Sequence, residues 1–147
     1  MPELKYLKDK KIVFRDEPFV MDVIYSMEKG NASIQLYDIF PGVQLMVTDF
    51  QSDTCYQSGM EQDVISIEHC LKGRFECMFD NRNCVYMGPG DVAINNVLHC
   101  PIASSFPLNY YVGATIILYP QICKVSSELK AFGIDIEILT NKYFLNE

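Results

Sequence analysis

The chain has no tryptophan and only two histidines, His69 and His99, in 147 residues. An enzyme that activates its substrate on Fe, Mn, Ni or Zn commonly gathers two or three imidazoles and a carboxylate around one ion. Two histidines offer little for such a set, and no metal or other cofactor is expected. Positive charge is also scarce. Lys and Arg total 12 against 19 Asp and Glu, for a net charge of −7. Gripping a nucleic-acid duplex requires clustered cations to displace counterions from phosphate. The one basic cluster, Lys5, Lys8, Lys10 and Lys11, reads as a solvated N-terminal arm. No stretch approaches the ~20 apolar residues of a membrane span.

The six cysteines (55, 70, 77, 84, 100 and 123) include no C-x-x-C pair. No apolar leader precedes them, so reduced thiols and a cytoplasmic location are expected. The seven-residue spacing of Cys70, Cys77 and Cys84 is most simply read as small apolar side chains on neighbouring strands. There is no G-x-S-x-G elbow, and no cysteine–histidine–acid set can be assembled from spacing. Gly88-Pro89-Gly90 is not followed by the helix and Lys-Ser/Thr of a phosphate loop. No catalytic residue is expected.

What the chain does contain is aromatic and apolar surface. Nine Phe and nine Tyr contribute to a hydrophobic content of 49%, enough for one domain with a core. Long Leu/Ala/Glu/Lys periodic runs are missing, and short segments with period-2 alternation take their place. Residues 1–18 form an irregular or short-strand lead-in. Strand signals follow over 19–25, 33–39 and 43–50, with Pro41-Gly42 as a turn. Residues 51–62 read as a polar loop.

The stretch from Val64 to Asn95 is the densest in strands and turns, at the spacing of a small β-barrel. Lys72-Gly73 suits a two-residue hairpin, Gly supplying positive φ. Its register would pair Leu71 with Arg74, Cys70 with Phe75, His69 with Glu76 and Glu68 with Cys77. Phe75, Cys77 and Phe79 would then face inward together with Ser66 and Glu68, while His69 faces outward. A buried carboxylate needs a partner, which singles out Glu68. Asn81-Arg82 reads as a second hairpin leading into residues 84–87. Gly88-Pro89-Gly90-Asp91 is a sharp corner before a short strand at 92–95. Residues 96–109 read as mostly loop, with His99 beside Cys100. Residues 110–119 form the last strand, which Pro120 ends.

Beyond it the period changes. Ile122, Val125, Leu129 and Phe132 recur at spacings of three and four. Gly133 interrupts, and residues 134–144, with Ile136 and Leu139, read as a second short helix. These apolar positions are candidates both for covering the barrel and for a symmetric interface with a second copy. The expected organisation is an arm over 1–18, a barrel over 19–120 and a helical segment over 121–147. The fold class is all-β with two C-terminal helices.

Cys70-Leu71-Lys72-Gly73-Arg74-Phe75-Glu76-Cys77, then Gly88-Pro89-Gly90-Asp91, then Phe106-Pro107-Leu108 with Tyr110-Tyr111 and Gly113, resembles the N-terminal, ligand-responsive domain of AraC/XylS-type transcription regulators. That domain is a cupin, a double-stranded β-helix or jelly-roll barrel, and the resemblance extends over roughly residues 30–145. It implies a cup that takes up a small effector, a homodimer packed by the helices after the barrel, and DNA binding through helix-turn-helix motifs not contained in these residues. An excised regulatory domain is expected over a stand-alone sensor. Metal cupins carry a histidine three residues beyond the corner glycine. The corresponding neighbourhood here is Val92, Ala93 and Ile94, none of which ligates.

An enclosed, mostly apolar pocket with a few polar groups is the usual small-molecule site. Candidate polar contacts are Glu68, Arg74, Tyr86, Tyr110 and Tyr111. Candidate walls are Phe75, Phe79 and Phe106. Ordinary core packing or a surface pair is the competing explanation for each, and Arg74 with Glu76 is most simply a solvent-side pair. The favoured function is a dimerising, effector-sensing regulatory domain, not an enzyme. The alternatives are a small metal-dependent cupin enzyme of isomerase or dioxygenase type, and a stand-alone sugar- or small-molecule-binding cupin.

Overall fold

Short runs of β-branched and aromatic residues, punctuated by glycine and proline, become strands of two antiparallel sheets. The computed structural model describes residues 13–17, 20–27, 30–55, 64–79, 83–96 and 101–123, together with Lys130, Ala131, Asp135, Ile138 and Lys142. The strands are β1 (Val13–Glu17), β2 (Val20–Met27), β3 (Gly30–Phe40), β4 (Val43–Gln51), β5 (Ile65–Gly73), β6 (Phe75–Met78), β7 (Cys84–Met87), β8 (Val92–Asn96), β9 (Ala103–Ser105) and β10 (Tyr111–Leu118). A seven-stranded sheet has the order β1-β2-β3-β4-β10-β5-β8, and a three-stranded sheet the order β7-β6-β9. From β5 onward the chain passes back and forth between the sheets, with β5, β8 and β10 in the large one and β6, β7 and β9 in the small one, the winding of a jelly roll.

The strand signals at 33–39, 43–50, 84–87 and 92–95 fall within strands, that at 110–119 overshoots β10 by one residue at each end, and that at 19–25 meets β2 from Val20 onward, Phe19 lying outside the described residues. The hairpin expected at Lys72-Gly73 does not form. β5 pairs with β10 and β8, and β6 pairs with β7 and β9. The pairings Leu71–Arg74, Cys70–Phe75, His69–Glu76 and Glu68–Cys77 are therefore absent. Gly73 does adopt a positive φ, of 86°. It uses that freedom to carry the chain out of the large sheet rather than to fold it back. A Cβ there would lie 2.3 Å from the Tyr110 carbonyl oxygen, so β10 approaches the corner too closely for any other residue. The second difference is β9, inside the segment expected to be loop. Ala103-Ser104-Ser105 has no apolar alternation to announce a strand, and it is one only because β6 offers it an edge.

Asn81 and Arg82 lie outside the described residues; on either side of them the β6–β7 register pairs Met78 with Cys84. The Phe79 N–H also donates to the Asn83 carbonyl at 3.0 Å. The Gly88–Asp91 corner is a type II turn with Pro at its second position and Gly90, φ 92°, at its third. The Asp91 N–H donates to the Gly88 carbonyl at 3.0 Å, and the Asp91 carboxylate accepts from the Gly88 N–H at 2.8 Å. The turn is also fastened to β5. The Gly90 N–H donates to the Cys70 carbonyl at 2.8 Å, and the Cys70 N–H donates to the Asp91 carbonyl at 3.0 Å. This double bond fixes where the chain re-enters the large sheet.

Between the sheets lies a core of Ala32, Phe50, Cys70, Met87, Phe106 and Tyr111, with Ile34, Cys55, Phe75 and Ala93 packed against it. A second cluster sits on the opposite face of the large sheet, where Ile65 and Leu118 are buried against Val43, Ile67, Ile94 and Cys123. The segment after β10 turns there, with the Cys123 N–H donating to the Tyr119 carbonyl at 2.8 Å. Of the expected tail positions only Ile122 is described, and it is exposed. Val125, Leu129, Phe132, Ile136 and Leu139 lie outside the described residues. Lys130, Ala131, Ile138 and Lys142 have helical backbone.

The two corner glycines should respond differently to alanine. Gly73→Ala meets both an unfavourable φ and a backbone oxygen, and should cost at least about 3 kcal/mol. At Gly90 a Cβ would meet nothing within 4 Å, so Gly90→Ala should cost only the conformational term, about 1 kcal/mol. Urea midpoints of the two variants test this ordering.

Candidate functional site

The inner face of the large sheet is built by strand alternation. On β10 it presents Tyr111, Gly113, Thr115 and Ile117. The cross-strand partners of these residues on β4 are Phe50, Thr48, Met46 and Gln44. Across β5, Gly113, Thr115 and Ile117 stand opposite Cys70, Glu68 and Ser66. β8 adds Ala93 beside Glu68 and Asn95 beside Ser66.

This face has two chemically distinct halves. Near Gly73 it is plugged by rings. Phe106 stacks on Tyr111 with centroids 4.8 Å apart and planes 12° from parallel, and Phe50 lies 4.9 Å from Phe106. Phe75 closes the group at 5.9 Å from Phe106 and 6.0 Å from Tyr111. Gly113 is required beneath this plug. A Cβ there would come within 2.7 Å of the Tyr111 ring and hydroxyl, so Tyr111 lies along its own strand across the glycine.

Farther along the strands the face is polar. One Glu68 oxygen, Oε1, accepts from the Ser66 hydroxyl at 3.1 Å and from the Asn95 amide at 3.2 Å. Thr115, the cross-strand neighbour of Glu68, is buried. At the end of the cup the Tyr119 hydroxyl donates to Gln44 Oε1 at 3.0 Å, and Gln44 Nε2 donates to Asp38 at 2.7 Å. Glu68 acts electrostatically on its surroundings. The Cys55 thiol is pushed up from 9.0 to about 12, by burial first and then by the charge of Glu68. Cys77 is raised by the same two causes in the same order. Tyr111 is also raised, mostly by burial, with smaller contributions from Cys70, Glu68 and Cys55.

The sequence candidates divide accordingly. Glu68, Phe75, Phe106 and Tyr111 are brought together, but Phe106, 1% exposed, is a core plug rather than an accessible wall. Arg74 sits at the surface. It donates to Glu76 at 2.6 Å and lies 4.3 Å over the Tyr86 ring, the solvent-side pair that alternation suggested. Tyr86 and Tyr110 are exposed, and Phe79 is half-buried at the β6–β7 turn. Ser66 is on the inner face as expected, and His69 is exposed on the outer one. His99 lies outside the described residues. Asn95, Thr115 and Cys55 are cup residues that sequence reasoning passed over, while Cys77 was already placed on the inward face. Asn95 and Thr115 enter only through the β5–β8 and β5–β10 registers. No local pattern marks them. Among the described residues, no three of His, Cys, Asp and Glu converge as a metal site.

The cysteine environments make a chemical prediction. Of the described cysteines, exposed Cys84 should react first with a thiol reagent at pH 8. Cys55, Cys70 and Cys77 should react only as the fold opens. Because the folded Cys55 thiol holds its proton to about 12 and an ordinary one only to 9.0, the unfolded chain binds fewer protons within that window. Stability should therefore fall as pH rises from 9 toward 12. Urea midpoints across this range should show a shallower decline in Cys55→Ala.

No protein-family model and no curated relative matches the sequence. Among solved structures, the chain is similar to an HTH_3-family transcriptional regulator from Vibrio cholerae, at 19% identity and a TM-score of 0.48, over 60% of this chain and 51% of that one. It therefore spans about half of that regulator's length. It is also similar to KdgF from Halomonas sp., at 12% identity and a TM-score of 0.43, over 80% and 90% of the two chains. A cupin superfamily protein from Desulfitobacterium hafniense matches at 17% identity and a TM-score of 0.41, over 72% and 83%.

Proposed function

We propose that this chain is a small-molecule-sensing regulatory domain of cupin type, of the kind found in AraC-type transcription regulators. The observation that carries the reading is Glu68. It is a carboxylate on the inner face of a two-sheet cup, steadied on one oxygen by Ser66 and Asn95. Its cross-strand neighbours are Thr115 and Ala93, and the ring cluster of Phe75, Phe106 and Tyr111 occupies the other end of the same face. Such an oriented polar group in an apolar cup is how small-molecule sites fix a ligand. The sequence segments that resemble AraC-type domains also support the reading, because they meet at one place. The Gly88–Asp91 corner is fastened to Cys70, Phe106 stacks on Tyr111, and Tyr111 lies over Gly113.

The mechanism is linkage. A ligand in the cup contacts β5, β8 and β10 together, so it favours whichever arrangement of these strands holds it best. It can shift an equilibrium toward a DNA-bound or DNA-free state of a larger protein only by its differential affinity for the two arrangements. The dimer belongs to the same proposal, as does a DNA-binding part outside these residues.

The test is a thermal-shift screen of the purified chain against a panel of polar metabolites. A hit is followed by calorimetry and by NMR of the ligand after prolonged incubation. A compound that raises the melting temperature and is recovered unchanged is expected, with affinity at least about 10-fold weaker in Glu68→Gln. Turnover of the compound with stoichiometric Fe, Mn, Ni or Zn by elemental analysis would replace this reading with the enzyme one.

A further inference from the structure

The polar half of the cup has more hydrogen-bonding capacity than its own residues use. Both described bonds to Glu68 fall on Oε1, so Oε2 accepts none among the described residues. Tyr111 and Thr115 are each buried, at 8% residue exposure, and neither hydroxyl has a hydrogen-bond partner among the described residues. Buried hydroxyls are seldom left this way without a ligand or water to satisfy them. The three groups share one face. Thr115 is the cross-strand partner of Glu68, which puts their side chains about 5 Å apart at Cβ. The Tyr111 hydroxyl lies over Gly113, one inner-face position from Thr115.

The charge balance of the cup is one-sided. Strands β3 to β10 contain only two basic residues, His69 and Lys72, and both are exposed on the outer side of β5. Arg74 is engaged outside with Glu76 and Tyr86. Glu68 is thus a half-buried carboxylate with no cation facing it among the described residues. A carboxylate held at the edge of an apolar interior attracts a cation more strongly than one in bulk water does. A neutral polyol would satisfy hydrogen bonds here but would leave the charge uncompensated. An ammonium group supplies both, because it is a point cation with three donors.

We infer that the cup takes a small primary amine in its ammonium form, held by Glu68 with the Thr115 and Tyr111 hydroxyls. The hydrocarbon part of the amine lies against Phe75 and the Tyr111 ring. This rests on the sensing reading above and narrows it to one ligand class.

Benzylamine, benzyl alcohol and benzoate share one ring and differ in charge. Binding of each at pH 7 is measured by ligand-observed NMR and calorimetry, alongside a neutral hexose. The expected order is benzylamine at least about 10-fold tighter than benzyl alcohol, with benzoate weakest. Glu68→Gln should remove the amine preference while leaving benzyl alcohol within about twofold. Thr115→Val, nearly isosteric and on a different strand, should weaken benzylamine several-fold. Equal binding of amine and alcohol, or an amine preference that survives Glu68→Gln with the variant folded by circular dichroism, overturns the inference. If the hexose binds better than benzylamine and its binding depends on Glu68, the ligand class is wrong while the sensing reading stands. If neither the probes nor the metabolite panel binds, both fall.

Discussion

The packing of Phe106 between Tyr111 and Phe50 is the contact on which the rest of the molecule depends. Phe106 follows the short β9, while Phe50 and Tyr111 are opposed residues on adjacent strands of the large sheet. The rings therefore join the two sheets. Burying one aromatic side chain contributes about 2 kcal/mol, and well-placed ring pairs add about 1 kcal/mol each. The backbone around Phe106 is arranged to hold it there. Its N–H donates to the Asp53 carbonyl at 2.9 Å, and its carbonyl accepts from Asn109, whose positive φ of 60° turns the chain back into β10.

The same plug defines the site. With the rings concentrated near Gly73, the rest of the inner face carries Ser66, Glu68, Thr115, Asn95 and Gln44, interleaved with Met46, Ile117 and Ala93. Gly113 links the two halves. Its missing side chain lets Tyr111 lie flat, which stacks the ring on Phe106 and carries the hydroxyl toward Thr115. One residue without a Cβ thus serves both core packing and the polarity of the cup.

Much of this was legible along the chain. Alternation set Phe75 with Cys77 on one face, and Ser66 with Glu68 on the face opposite His69, because side-chain direction in a strand depends only on parity; the hairpin register that joined the two sets does not form, yet both sets do face inward. Gly90 after Pro89 specified a type II corner, since only that turn suits both residues. The Lys72-Gly73 hairpin was misread because a positive φ is needed equally by a hairpin and by a corner between sheets. What distinguishes them is the approach of Tyr110 to Gly73, a contact nearly forty positions away in sequence. β9 was missed because Ala103-Ser104-Ser105 carries no periodicity. Arg74 and Tyr86 are candidate cup contacts by sequence, whereas the structure stacks Arg74 on the exposed Tyr86 ring beside Glu76, since an exposed cation stacked on a ring looks the same in sequence as a buried one.

The sequence by itself determined an all-β chain, its turns, and the identity of Glu68 as an inward carboxylate, because these follow from local backbone preference and period-2 geometry. Only the tertiary structure decided that Thr115 and Asn95 flank that carboxylate, that Phe106 is plug rather than wall, and that two hydroxyls of buried residues beside it have no partner among the described residues. Those facts depend on register between strands distant in the chain. Register is set by the fit of whole faces against one another, which no short stretch of residues encodes.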